Sequence, residues 1–64
     1  MKYPNIKVKL TGTNGNAFAI MGVVTKALRQ NDVSADEISE YQAESTSGDY
    51  NNLLQVAMKW VNVR

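Results

Sequence analysis

Cysteine and histidine are both absent from this 64-residue chain, and proline occurs once. Without thiolate or imidazole there is no disulfide, no Cys/His metal centre and no histidine general base. Secreted domains of this size usually depend on such cross-links, so the composition favours a cytoplasmic location. Long apolar runs are missing too. The opening residues Met1, Lys2, Tyr3, Pro4 and Asn5 lead into alternating charged and apolar positions, which provide neither a signal-peptide core nor a membrane span. The expectation is a chain with no membrane partner and no bound cofactor.

What is present is ordinary for a globular chain. The hydrophobic fraction is 44% and the charged fraction 20%, far from the composition that keeps chains disordered. A chain this short buries roughly 60% of the surface its unfolded form exposes, so one domain over residues 1–64 with a thin stability margin is expected. The net charge is +1, yet the signs are segregated. Lys2, Lys7, Lys9, Lys26, Arg29, Lys59 and Arg64 lie outside residues 32–49, whereas Asp32, Asp36, Glu37, Glu40, Glu44 and Asp49 lie inside. Such a separation can orient encounters with a charged partner or a second copy, although solvated faces that serve solubility are the simpler reading.

Residues 6–10 alternate, with Ile6, Val8 and Leu10 on one side and Lys7 and Lys9 on the other, which predicts a half-buried strand. Thr11 to Asn16 hold two glycines, two asparagines and no large apolar group, so the chain turns there. Asn14-Gly15 would suit a hairpin, but apolar residues recur afterwards at helical spacing through Phe18, Met21, Val24 or Thr25, and Leu28, with Ile20, Val23 and Ala27 alongside. A helix with Asn16 as N-cap is therefore expected. Gly22 inside it predicts close packing by another group. Ser34 with Glu37 forms a capping box opening a second helix over 35–45, whose apolar stripe of Ile38 and Tyr41 is thin. After Ser47-Gly48, Asp49 caps a third helix carrying Tyr50, Leu53, Leu54, Ala57 and Met58. Alternation returns at Trp60 to Arg64, predicting a second strand beside the first. The fold class is α+β, in the order strand-helix-helix-helix-strand, with a two-stranded sheet packed against three helices.

The segments Lys7-Val-Lys-Leu-Thr-Gly-Thr-Asn-Gly-Asn-Ala-Phe-Ala-Ile-Met-Gly22, Ser47-Gly-Asp-Tyr50 with Leu53-Leu54, and Met58-Lys-Trp-Val61 resemble a family of short uncharacterised bacterial and phage proteins. The likeness runs over nearly the whole chain. It implies no activity and transfers no functional residue.

Three features carry candidate chemistry. The loop Thr11, Gly12, Thr13, Asn14, Gly15 and Asn16 feeds a helix N-terminus, where exposed N–H groups suit an anion or a partner. It lacks the lysine of a P-loop and the three glycines of a dinucleotide fingerprint, and an ordinary strand-to-helix connection is the simpler reading. On the sheet, Lys7, Lys9, Trp60 and Arg64 would share the outward face, a basic and aromatic arrangement that binds single-stranded nucleic acid by charge neutralisation and stacking. Against this, Trp60 is the largest apolar group in a chain with little area to spare, and the pI near 8.0 is modest for a nucleic-acid binder. The acids Asp36, Glu37, Glu40 and Glu44 fall on one helical face, more simply a solvated face than a cation site. Serine and threonine have no histidine to activate them. The expected function is thus a non-catalytic interaction module that uses the polarised charge surface and the loop 11–16 to bind an unidentified protein partner or itself as a homodimer. Nucleic-acid binding is the alternative, and the surroundings of Trp60 discriminate between them.

Overall fold

A computed structural model describes residues 2–10 and 15–64. The elements run β1 (Tyr3–Val8), α1 (Ala17–Gln30), α2 (Ala35–Ser45), α3 (Tyr50–Trp60) and β2 (Val61–Val63). The two strands form one parallel sheet, and the helices pack on it and on one another. This is the α+β order expected from the sequence. β1 starts earlier than the alternation of residues 6–10 suggested. Its register pairs Tyr3 with Val61 and Lys7 with Asn62, so Pro4, Asn5 and Ile6 bulge between them. A bulge is where a proline, lacking its N–H, is tolerated in a sheet. Lys2 N–H donates to the Lys59 carbonyl at 2.8 Å and Arg64 N–H to Val8 at 2.8 Å, closing the pair at both ends.

The helix starts follow the capping chemistry. Asn16 accepts from Phe18 N at 2.8 Å, Ser34 from Glu37 N at 3.3 Å, and Asp49 from Asn52 N at 2.9 Å. α1 ends without glycine. Val33 N–H reaches Leu28 O at 3.0 Å and Asp32 N–H reaches Arg29 O at 3.1 Å, with Asp32 at φ 61°. That is a Schellman closure with an aspartate in the left-handed position.

The core joins Ile6 and Val8 of β1, Val24 and Leu28 of α1, Ile38 and Tyr41 of α2, Val56, Ala57 and Trp60 of α3, and Val61 of β2. α2 contributes two core side chains, yet one is Tyr41, fully buried and edge-on to Trp60 at 5.7 Å between ring centres. Two expectations for α1 need correction. Its buried face is Ile20, Val24, Thr25 and Leu28, while Phe18 stands 81% exposed. Gly22 has no group packed over it: a Cβ there would meet nothing within 4 Å. Both follow from one rotation of the helix, which spends its β-branched and leucine side chains on the core and turns Phe18, Gly22 and Lys26 outward together.

Candidate interaction surface

The segregated charges meet in the fold. Lys2 Nζ lies 3.2 Å from Glu37 and Lys59 Nζ lies 3.8 Å from Glu44, so two acids of α2 face the basic N-terminal residues and the end of α3. Tyr3 also donates its hydroxyl to Glu37. That hydrogen bond, with Lys2 beside it, holds the Glu37 carboxyl below the usual carboxylate range, and the same bond raises the Tyr3 phenol. The acidic face weighed as a cation site is therefore partly neutralised internally. No group of three metal-binding side chains occurs among the described residues.

Trp60 ends α3 rather than lying on a strand, and it is 3% exposed. Its Nε1–H donates to Glu44 at 3.0 Å, Lys2 Nζ sits 4.2 Å from the ring centre, and Tyr3 and Tyr41 flank it. The ring therefore has no free face on which a base can stack. The structure does not bring it to one outward face with Lys7, Lys9 and Arg64, all of which are exposed. Lys7 and Lys9 instead line a shallow groove of about 340 Å³ with Lys26 and Gln30 of α1, over Val23 and Ala27, and no aromatic group lines it.

Of the loop 11–16, Thr11, Gly12, Thr13 and Asn14 lie outside the described residues. Gly15 and Asn16 are exposed. The Tyr50 hydroxyl donates to the Gly15 carbonyl at 2.6 Å, which ties the entry of α1 to the start of α3.

Sequence reasoning missed the outward face of α1. Among the described residues, Phe18 is the most exposed of three large apolar side chains that stand out, the others being Met58 at 52% and Tyr50 at 45%. Phe18 and Met21 line two adjoining grooves. One, of about 250 Å³, continues over Ala17, Leu53 and Tyr50 to Asp49. The other, of about 300 Å³, runs past Gly22 and Thr25 to Lys26 and Arg29, with Gln42 of α2 as its far wall. Gln42 is held there by donating to Thr25 Oγ1 at 3.3 Å. The result is a trough along α1 that is apolar over Ala17, Phe18, Met21 and Leu53, anionic at that end and mixed polar to cationic at the other. Among the described residues, neither Lys26, Arg29 nor Asp49 makes an ion pair. The sequence signals only that Phe18 and Ile20, about 200° apart around a helix, cannot both face the core; it does not say which of them does.

Below this trough, the Ser45 and Tyr41 hydroxyls are buried without a hydrogen-bond partner of good geometry. Burial raises the Tyr41 phenol, and the proximity of Ser45 partly offsets the rise.

No described helix is long and apolar enough to cross a membrane. Comparison with known proteins finds no matching family model, no matching curated protein and no matching solved structure.

Proposed function

We propose that this chain is a non-catalytic, cytosolic protein-interaction module and that it docks its partner on the outward face of α1. The observation that carries the reading is Phe18, 81% exposed at the centre of a trough lined by Met21, Ala17, Leu53 and Tyr50. An exposed aromatic set among apolar walls and rimmed by charge is the usual composition of a binding hot spot. Phe18 contributes almost nothing to the core, so its cost to solubility is unexplained by folding. The non-catalytic part rests on the hydroxyl groups. Among the described residues, the serine and threonine hydroxyls that make hydrogen bonds reach backbone groups or Gln42, and none reaches a carboxylate base. The nucleic-acid reading keeps a basic strip at Lys7, Lys9 and Lys26 but loses its stacking ring to the core.

The test is a photo-reactive benzoyl-phenylalanine placed at Phe18, compared in cells with the same group at Gln55, which is exposed on α3 and outside the trough. A protein adduct of discrete mass from position 18, absent from position 55, supports the reading. Equal labelling at both positions, or none at position 18, overturns it.

A further inference from the structure

We infer that the partner on this face is a second copy of the chain, docked through an antiparallel pair of α1 helices crossing at Gly22. The inference rests on the docking reading above and adds the identity of the occupant. Three features of the trough are self-complementary. The first is charge: Asp49, the cap of α3, closes one end and Lys26 and Arg29 the other, and none of them makes an ion pair within its own chain among the described residues. A two-fold axis through the middle of the trough sets the anionic end of each copy against the cationic end of the other, twice. The two α1 dipoles then also run antiparallel.

The second feature is spacing. Gly22 lies four residues from Phe18 and four from Lys26, so all three share one face of α1. With Gly22 at the crossing, Phe18 of each copy lies along the apolar stem of Lys26 of the other, where a cation and an aromatic face attract.

The third is Gly22 itself. Nothing within its own chain comes within 4 Å of the position a Cβ would take. A mid-helix glycine with no neighbour weakens its helix and gains no packing in return. A second backbone brought close at that point makes use of the missing side chain, because helix axes approach most closely where a small residue lies between them.

Sedimentation equilibrium of the whole chain tests this. The weight-average mass should rise from 7.1 kDa towards twice that value as concentration increases from about 10 µM to about 1 mM. Gly22→Leu is the discriminating variant. It should fold, with a higher thermal midpoint because leucine is the better helix former and its Cβ meets no neighbour within 4 Å, yet its association should weaken at least about tenfold. Phe18→Ser should weaken association by a similar factor. Asp49→Asn, which keeps an N-cap side chain and removes its charge, should weaken it at low salt and little at high salt. A wild-type chain that stays monomeric at about 1 mM overturns the inference, as does a Gly22→Leu variant that self-associates like the wild type. The cross-linking experiment separates the two readings. An adduct at position 18 of twice the chain mass agrees with self-pairing; an adduct of another mass leaves the docking face standing and removes the second copy; no adduct removes both.

Discussion

Trp60 donates its indole N–H to Glu44 at 3.0 Å, and the same carboxylate oxygen lies 3.8 Å from Lys59 Nζ. One acid of α2 thus satisfies the polar edge of the largest core side chain and faces a cation one residue before it. Removing that acceptor leaves a part-buried donor unpaired. Glu44→Ala should therefore destabilise the fold by about 1–2 kcal/mol, and Glu44→Gln, which keeps an acceptor, by less. Urea unfolding followed by Trp60 fluorescence measures both. In the folded wild type that fluorescence should be blue-shifted and protected from iodide. Red-shifted, freely quenched emission would contradict the burial.

The element order was legible because three side-chain caps, at Asn16, Ser34 and Asp49, mark the helix starts independently of packing. What the sequence hid has a common cause. α1 carries apolar residues on most of its circumference, so its pattern alone leaves the choice between a Phe18–Met21 stripe and an Ile20–Val24–Leu28 stripe open. Tertiary packing makes that choice, and the candidate surface depends on it. Trp60 is similar: its neighbours alternate, which suits a strand, but burial against Tyr41 and the bond to Glu44 extend α3 through it. The early start of β1 was masked by Pro4, which reads as a breaker until its place in a bulge is known.

The Tyr3–Glu37 hydrogen bond makes stability depend on pH in two windows. Glu37 has a depressed folded value, so its contribution is present above the unfolded carboxylate range near 4.5 and is lost as pH falls through the lower folded value. Tyr3 has a raised folded value, so its contribution is present below 10.0 and is lost as pH rises through the higher folded value. Tyr3→Phe should reduce the alkaline loss, of which the buried Tyr41 phenol keeps its own share, and flatten the acid one, leaving Lys2 as the remaining partner of Glu37. Thermal midpoints of the two proteins across the pH range check this; parallel curves would show that the bond does not persist in solution.

Asp32 closes α1 in a backbone conformation that costs an L-residue with a Cβ about 1 kcal/mol. Its N–H and that of Val33 are already used by the closure, so the conformation is fixed by the fold rather than by the side chain. Asp32→Gly should stabilise by about 0.5–1 kcal/mol, because relief of the left-handed strain outweighs the added freedom of the unfolded chain. Chemical denaturation measures it, and an equal loss of stability would show that the Asp32 side chain contributes more than its backbone costs.

Two glycines should respond with opposite sign to the same substitution. Gly22 faces open space, and Gly22→Ala should stabilise the monomer by about 0.5–1 kcal/mol through helix propensity. Gly48 is different: a Cβ there would fall 2.9 Å from Asn52 Cβ. Asn52 cannot swing away cheaply, because its backbone N–H is held by Asp49 and its Nδ2 donates to the Glu44 carbonyl at 3.2 Å. That last bond fastens the end of α2 to the first turn of α3, beside the trough. Gly48→Ala should therefore cost about 1–3 kcal/mol, as overpacking does, and should shift the amide signals of Glu44, Ser45 and Asn52 in a ¹H–¹⁵N spectrum. A Gly48→Ala chain as stable as the wild type would mean that the α2–α3 junction relaxes freely, and the wall that Gly48, Asp49 and Tyr50 give to the trough would then be a poor platform for any partner.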